Sequence, residues 1–429
     1  MLDIKYIREN PEKVKKACEL KYKKVDVDAL LLADKEQADL KKELDELNRQ
    51  KNEVAKTRDA EKGKEVKEKT KIAQEKFDTA NKIFTDLMEK LPSVPSDDTP
   101  IGKDDSENVV LRTWGEKPNF DFEPKEHYVL GKDLGVIDSE RAGEIVGSRF
   151  TYLKGDLARI QFAIINHVMN TLSDEEKIKE IAAKAGLKDI STKPFIAVVP
   201  PVMIRPEIYQ KMGRLEPKED KYHLEEDDLW LIGSAEHTLG PIHMNDVLKE
   251  EELPIRYIGY STAFRREAGS YGKDVKGILR MHQFDKLEME TFATPENGIS
   301  EQNLLVAVQE HLMQEFEIPY NVVAVCTGDM GGPDVRQIDI EAWMPGQKTY
   351  RETHSADFMG DFQARRLNIR VKRKTGENEY VFMNDATTFA IGRALIAIME
   401  NGQQKDGSIV LPKLLQKYLG KEKIEAVKS

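Results

Sequence analysis

One stretch of this chain gathers cations, carboxylates and an aromatic ring at strand spacing. The run Phe264-Arg265-Arg266-Glu267-Ala268-Gly269-Ser270-Tyr271-Gly272 leaves a strand for a glycine-containing loop, and Gly277-Ile278-Leu279-Arg280-Met281-His282-Gln283-Phe284 enters the next strand. Strand side chains alternate in direction. Arg265 and Glu267 are therefore expected on one face of the first strand, and Arg280, Phe284 and Glu288 on one face of the second. Met281, Leu287 and Met289 take the other, apolar face, which suits packing. A guanidinium can grip a phosphate in bidentate fashion, a ring can stack on a purine, and a carboxylate can accept a hydrogen bond from the adenine amino group. The hairpin is thus a candidate nucleotide site. A surface hairpin with no more than an Arg265–Glu267 ion pair satisfies the same pattern.

Zinc and disulfide chemistry have little footing. The eight histidines are scattered without HExxH or Cys/His spacing, and the two cysteines, Cys18 and Cys326, lie far apart with no CxxC partner. No structural zinc and no disulfide framework are expected. Residues 1–12 alternate charge with isolated apolar residues instead of forming the apolar core of a signal peptide, and no later stretch approaches the length of a bilayer span. The expectation is a cytoplasmic protein without a membrane segment. The net charge of −11 disfavours indiscriminate coating of nucleic acid, although 66 Lys and Arg residues leave room for a local basic surface.

Elements of two kinds must carry these residues. At 429 residues, two domains are expected. Residues 30–91 are rich in Lys, Glu, Asp and Gln and free of proline, as long exposed helices are. Val66, Thr70, Ala73, Phe77, Ala80, Phe84, Leu87 and Leu91 repeat at alternating spacings of four and three, which keeps one seam facing a partner helix. Leu40, Leu44, Leu47 and Val54 supply the answering stripe. Residues 57–64, with Gly63, break the pattern, so an antiparallel helical hairpin several nanometres long is expected. By itself such a hairpin could serve as a dimerisation coiled coil or a spacer. Residues 92–102 form a proline-rich linker. From about 106 onward, helical and strand signals alternate as in an α+β body. Residues 157–185 read as helix and 195–199 as a buried strand stopped by Pro200 and Pro201. Residues 257–266, 278–292, 322–326 and 337–343 are further strand candidates. Residues 390–401 read as a helix with Ile391, Leu395 and Ile398 on its apolar face.

The hairpin residues resemble motif 2 of the class II aminoacyl-tRNA synthetases, and the form FRxEAGSYG followed by G(I/L)xRMHQFDKxE is similar to that of the seryl-tRNA synthetase family. Three more blocks agree: Thr327-Gly328-Asp329-Met330-Gly331; Tyr350-Arg351-Glu352-Thr353-His354-Ser355 with Asp361-Phe362-Gln363-Ala364-Arg365-Arg366; and Gly392-Arg393 through Met399-Glu400-Asn401, similar to motif 3. The resemblance extends to the opening residues 2–11 and to the helical hairpin. It implies a class II antiparallel β-sheet catalytic domain with flanking helices over 106–429, preceded by a tRNA-binding domain over 1–105 whose coiled-coil arm spans about 30–91. Motif 1 would lie at about 157–201, motif 2 at about 257–292 and motif 3 at about 385–401. The implied activity is ATP-dependent formation of seryl-adenylate and transfer of serine to the 3′-terminal adenosine of tRNA-Ser, with tRNA-Sec as a further candidate, by a homodimer.

The resemblance also implies roles. Arg265 would hold the ATP α-phosphate and touch serine, Glu267 and Phe284 would contact adenine, and Arg280 and Arg393 would grip the outer phosphates, Arg265 and Arg393 being the catalytic pair. Glu352 and Ser355 would ligate Mg²⁺. The serine site would comprise Ser234 and Glu236 of a Thr-x-Glu element, Glu288, Asp385 and Thr387, with Glu236 and Glu288 as partners of the substrate ammonium and hydroxyl. His282 and His354 would be structural. Two positions depart from the family pattern: Ser234 stands where threonine is usual, and Asp385, where asparagine is usual, adds a charge beside the substrate. Asp385→Asn is expected to be tolerated as a return to the family form. Two other readings fit: a paralogue that adenylates a different amino acid, and a silent RNA-binding protein. Joint retention of Arg265, Glu267, Phe284, Glu352 and Arg393 favours an enzyme.

Overall fold

The computed structural model describes residues 1–57, 59–268 and 276–425. The chain divides into two compact units, Met1–Pro95 and Ser96–Ser429. In the first, short helices α1 (Ile4–Glu9) and α2 (Pro11–Leu20) precede two 31-residue helices, α3 (Val27–Thr57) and α4 (Ala60–Lys90). Each long helix extends about 46 Å at the usual rise. The three-and-four spacing sets their contact: Leu44, Ala73, Ala80 and Leu91 are buried, and Leu40, Leu47, Val54, Val66, Thr70, Phe77, Phe84 and Leu87 are partly so. Ile7, Val14, Cys18, Val27, Leu30, Met88 and Leu91 close the base in one apolar cluster. Arg8 clamps Asp34 there through two hydrogen bonds of 2.6 and 2.8 Å.

The interruption between the long helices is narrower than the expected 57–64. Asp59 caps α4 by accepting a hydrogen bond from the Lys62 amide at 3.1 Å, and Gly63 lies inside the helix. A side-chain cap contributes about 1 kcal/mol, roughly what a helical glycine costs. The cap, not the glycine, therefore marks the turn.

The second unit is built on an eight-stranded sheet. Its strands are β1 (Val109–Trp114), β2 (Ile196–Val198), β3 (Ile255–Phe264), β4 (Gln283–Ala293), β5 (Tyr320–Ala324), β6 (Arg336–Met344), β7 (Thr349–Gly360) and β8 (Phe382–Ala390). They lie in the order β1-β5-β6-β7-β8-β4-β3-β2, and every pairing is antiparallel except the parallel β2–β3. The expected α+β body with an antiparallel sheet is thus present. Helices α5 (Gly155–Leu172), α6 (Glu175–Lys184), α7 (Gly298–Glu315) and α8 (Ile391–Gly402) flank it. Their apolar sides and one sheet face form the largest core, which includes Leu287 and Met289 of β4 and Ile391, Leu395 and Ile398 of α8.

Several boundaries differ from the sequence reading for identifiable reasons. The single helix expected over 157–185 is two, because Asp174 accepts hydrogen bonds from the Glu176 and Lys177 amides and starts α6 afresh. The strand expected to be buried over 195–199 is an exposed edge: Phe195 is buried, but Ile196 is 54% and Val199 81% exposed. Its apolar composition reflects a surface, not a core. β3 ends at Phe264 and β4 begins at Gln283, so Arg265, Glu267 and Arg280 lie beyond the strand ends and strict alternation does not place them. Glu267 has a φ of +53°, which turns the chain away from the sheet. Among the described residues no helix is long and apolar enough to cross a membrane.

Helix α7 is buried nearly all round, yet carries Glu301, Gln302 and Gln309 in its buried surface. Each has a partner. Gln302 donates to the Ala356 carbonyl at 2.8 Å. Gln309 donates to the carbonyls of Ser355 (2.9 Å) and Thr387 (2.7 Å). Glu301 receives two 2.7 Å bonds from the fully buried Arg256 of β3, which also donates to the carbonyls of Ser191 and Lys193. Replacing Glu301 by alanine would leave a guanidinium buried without its counter-charge. Glu301→Ala is expected to lower unfolding stability by about 3–5 kcal/mol, read as a shift of the urea midpoint of this unit.

Candidate active site

One strand lays out the site. Phe284, Lys286, Glu288 and Glu290 alternate along one face of β4, so the face runs from an aromatic ring through an ammonium to two carboxylates, at about 7 Å per pair of residues. Above it lies a cavity of about 330 Å³. Its wall includes Arg265, Glu267, Arg280, Phe284, Glu352, Ser355 and Arg393 together with Arg214, Glu236, Lys286, Glu288, Asp357, Asp385 and Thr387.

Two β-bulges decide which side chains reach this cavity. Opposite β6, Ser355 and His354 pair with Asp339 and Ile340, but Glu352 pairs with Glu341, leaving Thr353 as an extra residue. Without it, Glu352 and Ser355, three apart, would point to opposite faces; the bulge brings both to the cavity. Between β4 and β8, Leu287 pairs with Phe389 and Glu288 with Thr387, so Thr388 is the extra residue and Thr387 stands directly across from Glu288. The β7–β8 pairing stops at Ala356–Ala386, and Gln309 of α7 caps the two carbonyls just past the point where the strands part.

Cations crowd the aromatic end. The Arg265 guanidinium lies 5.4 Å from the centre of the Phe284 ring and donates to the Gly233 carbonyl at 3.1 Å. Arg280 donates to Glu267 at 3.2 Å, so among the described residues Glu267 pairs with Arg280 and not, as alternation suggests, with Arg265. Arg149 holds the Glu267 carbonyl at 3.1 Å. Arg393, at the first turn of α8, donates to the Glu352 carbonyl at 2.6 Å and lies 3.3 Å from its carboxylate. The Ser355 hydroxyl donates to Asp357 at 2.6 Å. Gly269, Ser270, Tyr271 and Gly272 of the connecting loop lie outside the described residues.

Carboxylates crowd the other end. Oxygens of Glu236, Glu288 and Asp385 lie within 4.8 Å of one another. Glu236 begins the short helix Glu236–Leu239, which seats close to the sheet because Gly259 of β3 has no side chain: a Cβ there would come within 2.6 Å of Leu239. Arg214 reaches into the cluster, its nitrogens 2.9 Å from Glu236, 3.1 Å from Asp385, 3.5 Å from Asp357 and 3.9 Å from Asp334. Lys286 donates to Glu288 at 3.1 Å and to the Ser234 hydroxyl at 3.2 Å.

The environment separates these acids. Burial opposes ionisation of Glu236, but Arg214, His237 and Lys286 together outweigh it and hold the carboxyl well below its ordinary range. Burial pushes Glu288 up to about 8, with Glu236 reinforcing and Lys286 opposing the rise. Asp385 and Asp357 are held well above their ordinary values, first by burial, then by Glu236 for Asp385 and by Asp334 and Asp385 for Asp357. Burial likewise brings His237 down to about 4. His237 is therefore neutral near pH 7, its Nδ1 accepting from the Gly233 amide and its Nε2 facing Glu236 at 3.4 Å.

A cavity that offers a ring and cations at one end and acids at the other suits a nucleotide joined to an ammonium-bearing molecule, and the comparisons with known proteins agree. Residues 1–95 match the seryl-tRNA synthetase N-terminal domain, and residues 220–402 match the class II tRNA synthetase core domain for glycine, histidine, proline, serine and threonine. The chain is 40% identical to the serine–tRNA ligase of Dictyoglomus turgidum with all of both chains covered, and 38% identical to that of Thermodesulfovibrio yellowstonii, covering 98% and 99%. The crystal structure of seryl-tRNA synthetase from Pyrococcus horikoshii complexed with ATP is 35% identical and superposes with a TM-score of 0.87 over the whole of both chains. The chain belongs to the seryl-tRNA synthetase family.

Of the twelve site residues drawn from the resemblance to that seryl-tRNA synthetase family, eleven line the one cavity. Ser234 does not; it is buried behind Lys286 and accepts from its ammonium. Sequence reasoning missed Arg214, Lys286 and Asp357. Lys286 carried a usable signal, since it alternates with Phe284 and Glu288. Asp357, two residues after Ser355, carried the same one. Arg214 carried none: it comes after the short helix Pro206–Lys211, far in sequence from the acids it meets.

Glu288 gives the unliganded protein a pH signature. Between its ordinary value of 4.5 and about 8 the folded carboxyl holds a proton that the unfolded chain has already released, so stability should fall as pH rises through this window. Glu288→Gln is expected to flatten that fall, measured as the thermal midpoint against pH without ligands.

Proposed function

We propose that this chain activates L-serine with ATP, forming seryl-adenylate and pyrophosphate, and then transfers the seryl group to the 3′-terminal adenosine of tRNA-Ser. The observation that carries this reading is the continuous face of β4 from Phe284 to Glu288, with cations gathered at one end of a single cavity and carboxylates at the other. Family membership supports it, as does the printed activity of the relatives, serine–tRNA ligases.

Each side chain then has a role. Adenine stacks on Phe284 and offers its amino group to Glu267. Arg265 meets the α-phosphate, where negative charge grows as the serine carboxylate attacks phosphorus, and a guanidinium already fixed on the Gly233 carbonyl stabilises that charge without reorganising. Arg280 and Arg393 take the departing phosphates. The serine ammonium meets the carboxylate of Glu236, while Thr387 and Glu288 meet the hydroxyl. A site built to pair a hydroxyl disfavours alanine, which would leave its polar groups unpaired. Glu352 and Ser355 suit Mg²⁺: both are oxygen donors brought to one side by the Thr353 bulge, and the bound ion would neutralise phosphate charge.

The two long helices act in this reading as an arm for the body of the tRNA. Their exposed faces carry many lysines, interspersed with about as many acids, and few aromatics, which favours recognition of RNA shape and backbone over base stacking. Exposed Ile145, Val146, Phe162, Ile196 and Val199, clustered in sequence around the motif 1 segment, support a homodimer through that region.

ATP–pyrophosphate exchange against each standard amino acid, with Mg²⁺ and without tRNA, tests the first step: exchange with serine is expected, and exchange confined to another amino acid would overturn the reading. Deletion of residues 35–90 is expected to leave serine-dependent exchange intact and to abolish charging of tRNA-Ser, with tRNA-Sec tried alongside. Retained charging would remove the arm from the mechanism.

A further inference from the structure

Asp385 places a carboxyl in the buried wall of the cavity, and the structure supplies a cation to meet it. Asp357, Asp385 and Glu290 stand directly across from one another on β7, β8 and β4. Like charges so placed repel, and here they are buried. The Arg214 guanidinium lies 3.1 Å from Asp385 and 2.9 Å from Glu236, and it lines the cavity with 18% of its side chain exposed. Its planar fork can hold several carboxylates at once, as a lysine ammonium would not. A guanidinium so fully engaged is not available to a substrate carboxylate, so the arginine does not mark the cavity for an acidic amino acid.

We propose that Arg214 determines amino-acid specificity by engaging the Asp385 carboxyl, so that a pocket with an aspartate at this position still presents Glu236 to a single ammonium. The proposal rests on the amino-acid activation reading above. The two residues form one unit: an arginine–aspartate pair does here what a neutral pair would do. Removing either partner alone unbalances the pocket. Without the guanidinium, Asp385 and Glu236 are left to share a proton, which withdraws Glu236 from the ammonium. Without Asp385, the guanidinium closes on Glu236 and withdraws it from the substrate. The expectation from sequence that Asp385→Asn is tolerated therefore changes: alone it should weaken amino-acid binding.

The test is a double-mutant cycle read by ATP–pyrophosphate exchange in the full chain. Arg214→Gln is expected to raise the KM for serine about tenfold or more, and Asp385→Asn by a smaller factor, with the KM for ATP within about twofold of the parent in both; combining them should recover most of the loss. A double variant no better than Arg214→Gln alone overturns the proposal, as does a rise in the KM for ATP matching that for serine. If Arg214→Gln does not fold, recovery of folding and of serine KM by adding Asp385→Asn supports the pairing, and a double variant that also fails to fold overturns it. Exchange by the parent with a different amino acid sinks the serine reading but not this proposal, provided the cycle holds for that amino acid's KM. Absence of exchange with all amino acids sinks both.

Discussion

Three acids facing one another across neighbouring strands, Asp357, Asp385 and Glu290, with Glu288 beside Glu290 on β4 and Glu236 close to Asp385, gather on a buried sheet face where like charges would repel without the screening of water. Arg214 and Lys286 are the cations set among them. Much of the second unit can be understood as the means of holding that balance. β7, β8 and β4 fix the acids in register, the Glu236–Leu239 helix, seated with Leu239 on Gly259, brings a further acid, and the segment after Pro206–Lys211 delivers the guanidinium. One positive charge shared among four neighbours cannot satisfy all of them, and the outcome is unequal: Glu236 is ionised readily, while Asp385 and Asp357 hold protons far above the usual carboxylate range. This inequality distinguishes the acids by role, since only a readily ionised group attracts an ammonium without first losing a proton.

The legibility of each element in the sequence depends on what its signal measures. Apolar spacing reports which residues are withdrawn from water, so the seam of α3 and α4 and the stripe of α8 could be read directly. It reports nothing about the partner that withdraws them. Ile196 and Val199 look like core and lie on an exposed edge strand, because apolar composition is common to interiors and to covered surfaces. Strand alternation placed Phe284 and Glu288 correctly but failed at Glu267 and Arg280, which lie past the strand ends, and could not foresee that extra residues at Thr353 and Thr388 would reset which side chains share a face. The residues grouped by the family resemblance at those positions do line one cavity, a grouping that survives bulges and turns. Arg214 escaped both approaches.

The same separation explains why α7 resists reading as an amphipathic helix. Glu301, Gln302 and Gln309 would mark an exposed face if helix periodicity were the whole account, but each answers a polar demand of the sheet beneath: a buried guanidinium, or carbonyls at sites where strand pairing is interrupted. Buried polar groups must find partners, and here the partners are supplied by a neighbouring helix.

Gln309 turns that arrangement into a measure of distance. Its single amide nitrogen holds the carbonyls of Ser355 and Thr387, one on the strand that carries Glu352 and the other on the strand that carries Asp385. The gap between these two strands is therefore gauged by one planar group a few atoms wide, as a caliper is set by its jaw. The pocket's width is an inherited dimension, fixed from behind by a residue that touches neither mouth nor floor. Drift of one wall relative to the other would have to break a buried hydrogen bond first, so the two ends of the cavity keep their alignment whether or not anything occupies them.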